Sequence, residues 1–170
     1  MAAPQLKGDR FKTDVLDADL QVTSKDKAIN IDSLKLKTDW AALNLSGSVP
    51  TDLAGEDNLR ALWESELKGN LDCDLPAVAA LMPNTLGLKE GTNITSGKVT
   101  GEIQIVTEGG KKHIKASVDL TGLKGTVSGK AVALSQPVQA RVLLSEDKDT
   151  VKFDQIGVTS SFANINASGT

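Results

Sequence analysis

The residue types that most often carry catalysis are sparse in this chain. Its single histidine, His113, follows Lys111 and Lys112 in a predicted hairpin, and its single cysteine is Cys73. A Ser-His-Asp triad needs a histidine held against a nucleophile in a cleft, and a polar hairpin offers no such burial. We therefore interpret His113 as a surface residue and Cys73 as a small apolar residue of a strand. No catalytic residue is predicted, and the chain is not expected to be an enzyme.

Metal and phosphate chemistry is equally poorly supported. The histidine and the cysteine lie 40 positions apart, without the clustered spacing of a zinc site, and the aspartates between positions 14 and 19 lack the spacing of a calcium loop. Gly109-Gly110-Lys111 matches only a fragment of the phosphate-binding pattern GxxxxGK[ST]. The net charge is −3, with no sustained basic patch for a nucleic acid. We expect no metal, no cofactor and no nucleic-acid partner.

The apolar residues are almost all aliphatic. The chain is 39% hydrophobic and 24% charged, as globular proteins are, but it has three Phe, two Trp and no Tyr. Compact cores normally rely on aromatic rings for buried area. An aliphatic interior would suit acyl chains, although such cores also occur in proteins that bind no ligand.

An internal repeat is the strongest pattern in the sequence. The segment 16–47 recurs at 138–169 with an offset of 122 and no gap. Strand alternation explains the matched apolar positions, but it does not explain the coincident polar, glycine and aromatic residues. These coincident pairs are Asp32 with Asp154, Trp40 with Phe162, Asn44 with Asn166, Ser46 with Ser168, and Gly47 with Gly169. A repeat of this length indicates a modular architecture.

The repeat suggests that the chain is part of a longer, repetitive protein. We expect residues 1–49 to end one module and residues 50–170 to form the next, truncated at its C-terminal end, in one continuous β-structure. No run reaches the ~18 apolar residues of a membrane span. The first four residues lack the features of a signal peptide, so an export signal is expected upstream.

Strand periodicity dominates the local signal. Alternation predicts strands over 16–22, 29–36, 43–49, 99–105 and 114–120, with a hairpin at 108–111 and weaker strand material over 122–137. The run 59–75 predicts two strands or one bent strand, after a loop at 50–58. A capped helix is predicted over 74–83, lying on the sheet. The short polar turns favour an antiparallel meander.

The alternation changes parity at one point in each copy of the repeat. In the strand 29–36 the apolar residues Ile29 and Ile31 occupy odd positions and Leu34 and Leu36 even ones, with Asp32-Ser33 between them. The second copy changes parity at Asp154-Gln155. A slip of one residue turns side chains to the opposite face unless a bulge absorbs it. A bulge is therefore predicted at both places.

The residues of the repeat also carry a family resemblance. Ile31-Asp32-Ser33-Leu34-Lys35-Leu36 through Ser46-Gly47, and again 153–169, resemble the AsmA-like superfamily, which includes the TamB-type proteins. The strand 67–72 followed by Leu75-Pro76-Ala77-Val78-Ala79-Ala80-Leu81-Met82-Pro83 is similar to a strand that runs into a short helix in that family. The chain departs from the family in lacking its N-terminal anchor and conserved C-terminal region.

The resemblance implies a fold and a function. Members form an elongated, bent antiparallel sheet with an open hydrophobic groove, anchored at the inner membrane and extending through the periplasm. They move phospholipid to the outer membrane, and some act in outer-membrane protein assembly. We accordingly expect an all-β fold with one short helix, in a periplasmic, non-enzymatic module that binds acyl chains. The expected partners are phospholipid acyl chains, neighbouring repeats of the same chain and outer-membrane assembly proteins.

One face of each predicted strand supplies the groove. The alternative is a closed β-sandwich, in which the same residues form a core and the chain is a structural or adhesion repeat of an extended surface protein. The residues predicted to line the groove are Ile29, Ile31, Leu34, Leu36, Leu43, Leu45, Leu67, Leu71, Val99, Ile103, Ile105, Val118, Leu120, Phe153, Ile156 and Val158.

Overall fold

The ladder of antiparallel strands begins at Leu16 and runs to Gly169 in a computed structural model that describes residues 9–10, 12–51, 63–147 and 150–169. Strands make up 71% of the described residues, which also contain one short helix. The elements in chain order are β1 (Leu16–Lys25), β2 (Ala28–Thr38), β3 (Ala41–Pro50), β4 (Glu66–Asp74), α1 (Leu75–Leu81), β5 (Thr92–Glu108), β6 (Lys111–Val127), β7 (Lys130–Ala133), β8 (Val138–Asp147), β9 (Thr150–Thr159) and β10 (Asn164–Gly169).

All the strands belong to a single antiparallel sheet. Their order is β1-β2-β3-β4-β5-β6-β8-β9-β10, and β7 pairs with the far end of β6. The sheet is bent and does not close, so β1 and β10 are its two edges in the described part of the chain. The predicted open antiparallel sheet is confirmed. The closed sandwich is wrong, because the described strands form one open sheet and none of them crosses into a second layer.

The predicted bulges are present in both copies of the repeat. In β2 the pairing passes from Ser33 to Ile31 and leaves Asp32 without a partner on β1. In β9 it passes from Gln155 to Phe153 and leaves Asp154 without a partner on β8. The extra residue absorbs the change of parity. The apolar side chains before and after each bulge therefore stay on one face.

The turn that follows the bulged strand also recurs. Thr38 Oγ1 accepts hydrogen bonds from the backbone N–H groups of Trp40 and Ala41, at 3.3 and 2.9 Å, and donates to the Ala41 carbonyl at 3.2 Å. Ser160 Oγ makes the same three bonds with Phe162 and Ala163, at 3.3, 3.0 and 3.2 Å. The hydroxyl satisfies backbone groups that the tight turn takes out of the ladder.

Helix α1 is short but well defined at its N-terminus. Asp74 Oδ1 accepts a hydrogen bond from the Ala77 N–H at 2.9 Å, and Pro76 lies in the first turn, where its missing N–H costs nothing. The helix packs against β5. A methyl group placed on Gly97 would lie only 3.2 Å from the Leu75 side chain, so the glycine lets the helix approach the sheet closely.

Two expectations need correction or extension. The alternating run predicted from residue 59 does not continue as a strand, because Trp63 and Glu64 form a helical turn and β4 begins only at Glu66. Residues 59–62 and most of the predicted loop 50–58 lie outside the described residues. Strands β5 and β6 are 17 residues each. The region after residue 120, where only weak strand signals were predicted, forms the end of β6 and the strand β7 that pairs with it.

The sheet has almost no conventional core. Among the described hydrophobic residues only Ala79 and Ile105 are buried, because a single layer of strands covers neither of its own faces. No buried side-chain nitrogen or oxygen atom in the described part of the chain lacks a hydrogen-bond partner. Stability therefore depends on the backbone ladder and on contacts between side chains of neighbouring strands.

The recurring turn gives a paired prediction. Replacing Thr38, which is 7% exposed, by valine keeps the shape but removes the oxygen that accepts two N–H groups. We expect Thr38→Val to lower the free energy of unfolding by about 1–2 kcal/mol, measured by urea denaturation. Ser160→Ala should disturb the equivalent turn beside edge strand β10 and raise amide exchange mainly there. Equal stability of both variants and the parent would contradict this role for the hydroxyls.

Candidate functional site

One face of the sheet is apolar over nine strands, and we refer to it as the apolar face. Cross-strand partners lie on the same face of a sheet, so the register assigns the side chains. Three rows run from β1 to β10, and together they contain only aliphatic residues and glycine, apart from one Phe in the third row. The rows are Leu20, Leu34, Leu45, Gly69, Ile103, Ala116, Val142, Ile156, Ala167; Ala18, Leu36, Leu43, Leu71, Gly101, Val118, Ala140, Val158, Ile165; and Val22, Ile31, Gly47, Leu67, Ile105, Ile114, Leu144, Phe153, Gly169.

The size of this face is informative. Neighbouring strands lie ~4.8 Å apart and every second residue advances ~6.8 Å, so three rows across nine strands cover roughly 38 by 20 Å. That is a projected area on the order of 700 Å², of which the part around Ile105 is covered. Soluble monomers rarely expose contiguous apolar patches larger than a few hundred Å², and larger ones are typical of interaction sites.

All sixteen residues predicted to line a groove lie on the apolar face. The prediction omitted other residues that the register places there, although they show the same alternation. The omitted aliphatic residues of the three rows are Ala18, Leu20, Val22, Ile114, Ala116, Ala140, Val142, Leu144, Ile165 and Ala167. Their signal was present in the sequence, but only the pairing of each strand with its neighbours shows which of its sides joins the common face.

Much of the apolar face is open to solvent. Val118, in the middle of the sheet, is 47% exposed, and Leu71 is 39% exposed. Exposure increases toward the edge strands, where Leu20 is 61% and Ile165 is 60% exposed. These values are far from those of core side chains, so this part of the face is accessible to a ligand from β1 to β10.

A hollow lies at the centre of the apolar face, where glycines replace side chains in two adjacent strands. Gly69 and Gly101 occupy neighbouring positions in two of the rows, and the space above them is about 220 Å³. The apolar side chains around it are those of Leu43, Leu45, Leu71, Ile103, Ala116 and Val118. Neither glycine has a positive φ, so the backbone conformation does not require glycine at either position.

One end of the apolar face is covered by the chain that enters β4. Lys112 lies on the apolar side by register, two positions before Ile114, and its side chain is only 16% exposed. Its ammonium group donates to the carbonyl oxygens of Ser65 at 3.0 Å and Glu64 at 3.4 Å. Ile105, at this end, has no exposed surface. Lys112 therefore holds the segment before β4 over this end of the apolar face through two hydrogen bonds.

The opposite face of the sheet is polar and is held together by cross-strand pairs. Arg141 Nη2 donates to both carboxylate oxygens of Asp119 at 2.9 Å, and Gln139 donates to the same carboxylate at 2.7 Å. The hydrogen bond from Arg141 lowers the pKa of Asp119 below its usual value. Asn44 donates to Asn70 at 2.8 Å. Such pairs fix the register of the strands, and hence of the apolar rows behind them.

His113, Ser145 and Asp154 come together on this polar face, but not in a catalytic arrangement. His113 lies in β6, half-buried, rather than in the turn where it was predicted, and it is the cross-strand partner of Ser145. The hydrogen bond from Ser145 lowers the pKa of Asp154, and the charges of Lys152 and His113 act in the same direction. In a catalytic triad the serine donates to the histidine, whereas here it donates to the carboxylate.

Cys73 lies on the apolar side of β4, paired with Val99 of β5 and Ala41 of β3. It is half-buried and forms no disulfide. Burial raises the pKa of its thiol above the usual value, and the charge of Asp72 raises it further. A thiol with a raised pKa is a weak nucleophile at neutral pH, so Cys73 is suited to packing rather than to redox or nucleophilic chemistry.

Comparison with protein-family models, curated proteins and solved structures gives no match. Within the described ranges no helix has the length and apolar content needed to cross a bilayer. The described residues also contain no group of three or more His, Cys, Asp or Glu side chains that could hold a metal ion. The apolar face is thus the surface that the geometry itself singles out as a candidate site.

The central hollow yields a prediction about glycine. A methyl group on Gly101 would meet only the Ser117 carbonyl at 3.7 Å and the Leu71 side chain at 3.8 Å. Gly101→Ala should therefore raise the free energy of unfolding by about 0.5–1 kcal/mol, because alanine loses less entropy on folding. Gly125→Ala is the contrasting variant, since its methyl group would overlap the Asn93 carbonyl. Thermal unfolding that ranks Gly101→Ala below the parent would show that this glycine is structurally required.

The thiol of Cys73 can be used to probe the apolar face. Because burial raises its pKa, alkylation should be slower than for the unfolded chain, and its rate should still rise with pH above ~8.5, where the rate for a free thiol levels off. The rate of maleimide or iodoacetamide modification, measured from pH 7 to pH 10 in the folded and urea-unfolded protein, tests this. A folded-state rate profile that is the same as the unfolded one would contradict it.

Proposed function

We propose that the apolar face binds the acyl chains of phospholipids and that the chain is a non-enzymatic module for carrying lipid between the inner and outer membranes of a bacterial envelope. The observation that carries this proposal is the unbroken set of three apolar rows over nine strands, open to solvent except at the end covered around Ile105. The resemblance to the AsmA-like superfamily, which the same residues carry, supports lipid transfer and a periplasmic location.

The energetics of the face suit acyl chains. Each buried methylene contributes ~0.8 kcal/mol, so ten methylenes laid on the sheet would contribute about 8 kcal/mol before the entropic costs of association are subtracted. No polar side chain interrupts the three rows. The interaction is therefore nearly uniform along the face, and an acyl chain could move from strand to strand without breaking a specific contact.

The phospholipid headgroup has a place in the same arrangement. The apolar face is open, and its rows run across the strands toward the two sheet edges. A headgroup could stay in water while its acyl chains lie along the rows. Transfer would then follow the long direction of the face, from one edge strand to the other, with neighbouring repeats of the same protein extending the path.

The decisive experiment places the same charge on the two faces of one strand. Val118 is on the apolar face and 47% exposed, while Ser117 is next to it on the polar face. A carboxylate in hydrocarbon costs ~2.5–3.5 kcal/mol, so we expect Val118→Asp to lower lipid occupancy at least about tenfold. Ser117→Asp should leave it unchanged. Occupancy is measured by native mass spectrometry of the purified protein and by uptake of phospholipid with a fluorescent acyl chain.

Two controls separate binding from folding. Both variants should keep the circular dichroism and urea midpoint of the parent, because neither position is buried. Ile105→Asp, at a position with no exposed surface, should instead unfold the sheet, since an isolated charge cannot be buried there. One outcome would contradict the proposal and favour a structural repeat. In that outcome the purified protein carries no lipid and forms a face-to-face dimer, and Val118→Asp converts the dimer to a monomer.

A further inference from the structure

Strand β10 presents an edge whose counterpart elsewhere in the chain is occupied. Strands β8, β9 and β10 repeat β1, β2 and β3, with the same bulge and the same turn. In the first copy, β3 pairs along its outer side with β4, from Ala41–Cys73 to Ser48–Glu66. In the described part of the chain no strand lies on the outer side of β10. The internal repeat therefore shows which kind of strand this edge accepts.

A glycine on β10 has no local explanation but has one in this comparison. Gly47 is required on β3, because a methyl group there would overlap the Glu66 carbonyl of β4, and its φ is +140°. Its counterpart on β10 is Gly169. A methyl group on Gly169 would meet nothing within 4 Å, and its φ is not in the left-handed region. Nothing in the described structure requires glycine at Gly169. It would be required, as Gly47 is, if β10 takes the backbone conformation of β3 when a β4-type strand docks.

Two further residues, one in the turn before β10 and one on β10, correspond to residues that contact β4 in the first copy. The carbonyl of Trp40 accepts a hydrogen bond from the Asp74 N–H at 2.9 Å, and the Asn44 side chain donates to Asn70 at 2.8 Å. The counterpart of Trp40 is Phe162, which is 75% exposed. The counterpart of Asn44 is Asn166, which here donates to Asn164 of its own strand. With an added strand, the Asn166 amide would exchange that bond for one to the neighbouring asparagine.

We propose that the outer edge of β10 binds, antiparallel, a β4-type strand from a further copy of this repeat. The register follows from the pairing of β3 with β4, and it would add one apolar residue or glycine to each of the three rows. The expected pairs are Ala163 with Cys73, Ile165 with Leu71, Ala167 with Gly69, and Gly169 with Leu67 of the added strand. This proposal rests on the sheet edge alone, and lipid binding can fail without affecting it.

The test uses a peptide with the sequence of residues 66–74, in which Cys73→Ser prevents oxidation. The peptide is added to the full chain. Hydrogen–deuterium exchange with mass spectrometry should show slower exchange in β10 and no change in β1. Gly169→Ala should weaken peptide binding at least about tenfold, which corresponds to ~1.4 kcal/mol. It should leave the urea midpoint of the free protein unchanged, because the added methyl group meets no neighbour.

Matched variants keep the result interpretable. Ser168→Ala, one position away, should bind the peptide as the parent does, and a peptide carrying Leu67→Asp and Leu71→Asp should not bind. Several outcomes would overturn the proposal: no binding at millimolar peptide, equal binding by Gly169→Ala, or protection of β1 instead of β10. Protection of β1 and β10 together that rises with protein concentration, without peptide, would overturn it in favour of head-to-tail contact between whole chains.

Discussion

The structure depends on the antiparallel ladder keeping every strand in register with its neighbours. Side chains alternate between the two faces of a strand, so a slip of one residue would send a whole row to the wrong side. Here the register holds across nine strands, and the result is one face with three rows free of polar side chains and one face of cross-strand pairs such as Arg141–Asp119. The apolar face is therefore a collective property of the ladder and not of any one segment.

The bulges at Asp32 and Asp154 show how that register survives a break in the alternation. Each inserts one residue opposite its neighbour strand, so that Ile31 and Leu34 face the same way despite their spacing. The same feature makes the strand bend. Bending and continuity of the apolar face thus have a common origin, and their recurrence at an offset of 122 residues makes both of them properties of the repeat.

Much of this could be predicted from the sequence, because strand alternation is a local signal. The strands, the two bulges and the capped helix follow from residues close together in the chain. The start of β4 did not follow from the local pattern. The segment before Glu66 is held by a residue distant in sequence, through the ammonium group of Lys112 and the carbonyls of Glu64 and Ser65. The hollow at Gly69 and Gly101 was also missed, because two glycines become neighbours only through pairing.

The composition of the apolar face bears on what covers it. Protein interfaces concentrate binding energy in aromatic and arginine side chains that fill pockets on the partner. Of the residues in the three rows only Phe153 is aromatic, and four positions are glycine: Gly47, Gly69, Gly101 and Gly169. Such a face has few large side chains that could anchor a rigid partner. A flexible aliphatic chain would make similar contacts at every point along it. An acyl chain gains the free energy of leaving water without occupying a fixed position, because the hydrophobic effect is non-directional. The three rows contain no polar group that would fix its position.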